Sequence, residues 1–112
     1  MENSRKLSDD IKSEIANPRN KIFVSVATIW EIVIKRNLKK IKLSFDLEAS
    51  ITEASLEILP IELSHVLNVQ RLPNHHYDPF DRILVAQSQV ENLALISHDQ
   101  KIWKYDIDVL KV

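Results

Sequence analysis

Glycine is absent from all 112 residues, whereas average usage of ~7% would supply about eight. Its absence removes the P-loop, the dinucleotide fingerprint and every other Gly-rich phosphate cradle, so a nucleotide cofactor is not expected. Cysteine is also absent, which excludes a disulfide framework, thiolate zinc and a Cys nucleophile. No apolar run approaches the ~18 residues of a membrane helix, and no membrane association is expected. The N-terminus, Met1 to Lys6, is polar and leads into no apolar stretch of the kind that marks a chain for export; the expected compartment is the cytoplasm. Charge of one sign is lacking as well, with 15 basic against 16 acidic residues. Any contact with nucleic acid must therefore rest on a local patch or a metal rather than on a global basic field.

Four strand-length runs are present: Ile22 to Ser25, Leu56 to Ile61, Leu93 to Ser97 and Ile107 to Leu110. Helical spacing lies between them, in Ile29, Ile32, Val33 and Arg36, in Leu47, Ile51 and Ala54, in Leu63, Val66, Leu67 and Val69, and in Phe80, Ile83, Leu84, Gln87 and Val90. Leu7, Ile11 and Ile15 predict a further helix before the first strand. The order α-β-α-α-β-α-α-β-α-β predicts one α/β domain over residues 1–112, with a mostly parallel sheet covered on both faces. Such a domain normally opens with a strand, so the leading helix predicts a strand in front of it that this sequence lacks.

In an open parallel sheet, ligands bind beyond the carboxyl ends of the strands. Glu31, expected in the first helical turn after Ser25, Asp81, in the first turn after Asp78-Pro79, and Asp99, just past Ser97, can converge there. Convergent carboxylates without Cys or a His pair favour Mg²⁺ or Mn²⁺. Each acid also has a simpler reading: Thr28-x-x-Glu31 is a capping box, Asp78-Pro79 is an N-cap followed by proline at N1, and Asp99 can cap a short helix from Gln100 to Lys104. His75-His76 reads as turn surface because adjacent rings do not aim at one metal. His65 reads as helix surface and His98 as a solvated side chain. Ser25, Thr28 and Ser97 have no partners in triad-like order, which leaves acyl transfer with little support. Lys35 to Lys42 hold five cations in eight residues, which serve either the helix dipole or a phosphate backbone.

The segments Ser25-Val26-Ala27-Thr28-Ile29-Trp30-Glu31-Ile32, His75-His76-Tyr77-Asp78-Pro79-Phe80-Asp81-Arg82 and Leu95-Ile96-Ser97-His98-Asp99 together resemble a PIN domain, more narrowly the VapC-like toxins of bacterial type II toxin-antitoxin systems. The resemblance implies a three-layer α/β/α sandwich and a Mg²⁺- or Mn²⁺-dependent endoribonuclease. Glu31, Asp81 and Asp99 match the family's catalytic, metal-binding acids, and Arg82, Lys35, Arg36, Lys39 and Lys40 are expected to orient RNA. A cognate antitoxin and a second copy of the chain are the expected partners. Two departures stand out: the family's first, central strand, which ends in Asp, is missing, and two positions where the family often has glycine fall near Asn37 to Lys40 and at Asn92. The alternatives are a catalytically inactive remnant that binds an antitoxin or itself, and a metal-dependent phosphatase or other hydrolase on a similar scaffold.

Overall fold

The computed structural model describes residues 17–40 and 46–111, together with Ser13 and Lys42. The helix expected around Leu7, Ile11 and Ile15 lies outside the described residues. The backbone falls into two compact units, Lys21–Ile61 and the remainder, chiefly Glu62 onward.

The Lys21–Ile61 unit holds β1 (Phe23–Ser25), α1 (Val26–Asn37), α2 (Leu47–Glu53) and β2 (Glu57–Leu59). β1 and β2 pair in parallel, Phe23 opposite Glu57 and Ser25 opposite Leu59. Ser25 closes the strand and opens the helix: it is extended (φ −74°, ψ 143°), and its hydroxyl accepts the Ala27 N–H at 3.0 Å. Because Ser25 is the N-cap, α1 starts three residues before the Thr28 cap that the sequence suggested. Glu31 is accordingly in the second turn, not the first, and the Thr28-x-x-Glu31 capping box is not what holds it.

The second unit holds α3 (Leu63–Val69), α4 (Pro79–Glu91), β3 (Leu95–Ser97), a 3₁₀ turn (Ile102–Lys104) and β4 (Val109–Lys111). β3 and β4 again pair in parallel, Leu95 with Val109 and Ser97 with Lys111. Helices alternating with parallel strands give an α/β fold, as the order of runs predicted. Among the described residues the strands form two two-stranded ladders, β1-β2 in one unit and β3-β4 in the other. Leu72, Val85, Ala86, Ile102 and Tyr105 are the core of this unit, with Val69, Leu95, Ile107 and Val109 packed against it. His65 is not on the surface; it is buried, its Nδ1 accepting the Glu62 N–H at 3.0 Å and facing Gln87 Nε2 at 3.3 Å. The reason is that α3 packs on α4 along that face.

Left-handed backbone, which glycine would normally supply, falls on Lys39 (φ 59°), Ser55 (φ 56°) and Asn92 (φ 55°), just past the ends of α1, α2 and α4. At the first, Lys40 N–H reaches Lys35 O at 2.9 Å and Lys39 N–H reaches Arg36 O at 3.0 Å. This is the six-to-one and five-to-two pattern of a Schellman end, with lysine in the glycine position. Ser55 and Leu56 repeat it on Thr52 and Ile51, and Leu93 N–H closes on Ser88 O. Asn tolerates this region through local hydrogen bonding; Lys and Ser carry the Cβ clash, a cost of about 1 kcal/mol or more each. Lys39→Gly and Ser55→Gly should therefore each raise unfolding free energy by about 1 kcal/mol, and Asn92→Gly by less, in chemical denaturation of the full chain.

Candidate metal centre

The site grows from the N-terminus of α4. Asp78 is extended, and its Oδ1 accepts the Phe80 and Asp81 N–H groups at 2.8 and 3.3 Å, with Pro79 at the first helical position. Asp81 thus sits in the first turn, where the helix dipole favours a carboxylate. Upstream, the loop from Pro73 to Tyr77 is tied down by Arg82. The guanidinium donates from Nη1 to Pro73 O (3.1 Å), His76 O (3.2 Å) and the Tyr105 hydroxyl (3.3 Å), and from Nη2 to Val69 O (3.2 Å) and Leu72 O (3.4 Å). All its contacts lie within the protein. Arg82 therefore clamps the loop through both of its Nη atoms.

Held in that loop, His76 donates its backbone N–H to the Tyr105 hydroxyl at 3.0 Å. Its Nδ1 accepts the Asp78 N–H at 3.1 Å. Its Nε2 then lies 3.0 Å from Asp81 Oδ2 and 2.9 Å from Asp99 Oδ2. His75 turns the other way, its ring edge-on to Tyr105 with centroids 5.0 Å apart. The adjacent pair thus does not converge, as the spacing argued, yet His76 is part of the site rather than turn surface.

Asp99 follows β3. Its N–H donates to Ser97 Oγ at 3.1 Å, and its Oδ1 accepts the Lys101 N–H at 2.8 Å. Its carbonyl accepts the Ile102 and Trp103 N–H groups that start the 3₁₀ turn. One Asp99 oxygen thus serves the Lys101 N–H and the other faces His76, while the N-cap of the 3₁₀ turn is Lys101 rather than Asp99 as the sequence suggested. The Lys101 amide, and after it the His76 hydrogen bond and the Lys101 charge, hold the Asp99 carboxyl below the usual carboxylate range, against an opposing effect of burial.

Of the sequence-predicted acids, Asp81 and Asp99 are brought together. With His76 they offer ligand atoms all within 4.8 Å of one another. Glu31 lies in the other unit, on α1, where its carboxylate pairs with Lys35 Nζ at 3.5 Å. Lys35, Arg36, Lys39 and Lys40 are all exposed around the carboxyl end of α1. His76 is the residue that sequence reasoning missed. The available signal was its place two residues before an Asp-Pro cap, which lets the ring accept the cap residue's N–H.

The PIN domain family model matches residues 1–108. The chain belongs to the PIN family. Searches of the curated proteins and of the solved structures return no match. PIN domains are generally nucleases that act on RNA, and they generally use divalent metals. The PIN donor set fits such an ion: two carboxylates with hard oxygens, one at a helix N-terminus and one past a strand end, suit Mg²⁺ or Mn²⁺ better than a soft metal.

A depressed carboxyl adds stability that is present above the ordinary carboxylate range and lost as pH falls through its folded value. The side-chain ¹³C resonance of Asp99 in the metal-free chain should accordingly titrate below that of a model aspartate peptide. Lys101→Pro, which removes the leading N–H donor at a position whose φ of −68° the ring accepts, should move the midpoint back up.

Proposed function

We propose that this PIN domain is a Mg²⁺- or Mn²⁺-dependent endoribonuclease of the VapC-like toxin kind, acting in the cytoplasm. The observation that carries the reading is the approach of the Asp81 and Asp99 carboxylates, from separate elements, to within a cation's span. Glu31 is the third acid of the proposed set. A cation bound there would polarise the scissile phosphodiester and lower the pKa of an attacking water.

The protein's own part is to hold the acids oriented before the metal arrives. Asp81 is fixed by the first turn of α4, and Asp99 by the Lys101 amide. The exposed cations Lys35, Arg36, Lys39 and Lys40 are proposed to track the RNA backbone, where each contact is electrostatic and salt-sensitive. Arg82, whose Nη atoms hold the loop beside the acids, is the proposed cation nearest the Asp81 end of that path.

The VapC-like reading also brings an antitoxin and a second copy of the chain as partners. Supporting it are the exposed apolar side chains Leu63, Val66 and Leu67 on α3, exposed by 72, 52 and 50%. In the Lys21–Ile61 unit, a cavity of about 850 Å³ lined by Ile29, Val33, Ile51, Leu56 and Ile58 supports it too. An inactive remnant would keep such surfaces and lose the metal.

The test is cleavage of RNA by the full chain with Mg²⁺ or Mn²⁺ and with EDTA. Cleavage should require the metal. Asp81→Asn and Asp99→Asn should each lower it by at least ~100-fold, since a ligand's loss exceeds the ~10–100-fold cost of losing its outer partner. Metal-independent cleavage, or full activity in either variant, would remove the two acids from the mechanism. Binding of an antitoxin-like protein without cleavage would select the inactive remnant.

A further inference from the structure

The cluster contains three side chains of ligand type, and the geometry divides them. Nδ1 of His76 accepts a backbone N–H from Asp78 at 3.1 Å. A backbone amide can only donate, so Nδ1 carries no proton, and in the neutral ring the proton is on Nε2. Nε2 is the atom that lies 2.9 Å from Asp99 Oδ2 and 3.0 Å from Asp81 Oδ2. A nitrogen bearing a proton has no lone pair for a metal. To ligate through Nε2 the ring would have to move that proton to Nδ1 and give up the Asp78 contact.

We propose that His76 is not a metal ligand but a positioning residue, whose Nε2–H bridges Asp81 and Asp99 and sets the spacing at which the pair receives a cation. Its ring is held at Nδ1 by the Asp78 N–H, and its backbone by its own N–H on Tyr105 and by its carbonyl, which accepts from Arg82. The imidazole is also largely enclosed, its side chain 13% exposed, against 24% for Asp81 and 35% for Asp99. The acids therefore face solvent more than the histidine does, as expected if the cation approaches from the carboxylate side. Hydrogen-bonded outer partners of this kind fix the orientation of ligating carboxylates, and their removal typically costs about 10–100-fold in metal affinity or activity.

The inference rests on the metal-dependent reading above, and its test separates the two. In the metal-free full chain, ¹⁵N-labelled at histidine, long-range ¹H–¹⁵N correlation should show His76 with a protonated Nε2 and an unprotonated Nδ1; the opposite tautomer would overturn the proposal. With Mn²⁺ alone as probe, electron spin echo modulation should show no directly coordinated imidazole nitrogen, and the appearance of one would equally overturn it. In calorimetry, His76→Ala should weaken Mn²⁺ binding by about 10–100-fold, while His76→Gln, which keeps an N–H at similar reach, should stay within about threefold of wild type. Equal losses in both variants would mark His76 as a ligand. If the wild-type chain binds no Mn²⁺, the metal reading fails, and the tautomer still decides whether His76 bridges the acids.

Discussion

The guanidinium of Arg82 is the constraint on which the rest of the second unit's chemistry depends. It sits one turn into α4 and takes hold of carbonyls at the end of α3, at Val69 and Leu72, and in the loop that follows, at Pro73 and His76. Val69 is the last residue of a short helix and the other three lie past it, where the helix supplies no further donors. A planar fork with five N–H groups can satisfy several of them at once in a way a lysine ammonium cannot. The loop between α3 and α4 is thereby given one shape, without glycine. Tyr105, buried in the core, receives both Arg82 and the His76 N–H, so the core and the site share a single hydrogen-bonded joint.

What that joint delivers is a pair of carboxylates at close quarters. Two like charges so near one another would ordinarily push one proton back on. Here several donors oppose that tendency: the first turn of α4 beside Asp81, the Lys101 amide on Asp99, and the His76 N–H facing both. Asp99 is held below its ordinary range as a result. The carboxylates are organised by these donors without a cation, and such preorganisation favours an ion that need not rearrange its ligands.

The elements of the fold were legible because each rests on local physics. Short β-branched runs gave the four strands to within two residues, and the Asp-Pro sequence gave the start of α4, since an Asx cap followed by a residue with fixed φ is a strong local signal. Asp81 and Asp99 were legible for the same reason, one in a first helical turn and the other past a strand end. The start of α1 was misplaced because Ser25 and Thr28 are both competent caps, and only the pairing of β1 decides where the strand stops. The contact of His65 with Gln87, the reach of His76 to Asp99 and the hold of Arg82 on Tyr105 were not legible, since these partners lie 22, 23 and 23 residues away in sequence respectively. An isolated His or Arg carries no periodicity that points to such a partner.

The lack of glycine shows how one local choice reaches the proposed function. A left-handed residue after α1 is needed to close the helix, and lysine at that place bears a steric cost of about 1 kcal/mol that glycine would avoid. The turn nevertheless sets Lys39 and Lys40 beside Lys35 and Arg36, close to the carboxyl end of α1, where the helix dipole favours positive charge. Dipole complementation and a phosphate-binding surface are therefore not competing accounts of these cations. The dipole acts on Lys35 and Arg36 in the last turn whether or not RNA is present, and the exposed Arg36, Lys39 and Lys40 side chains can exchange solvent counterions for phosphates. Glycine would relieve the backbone but remove one of the four charges.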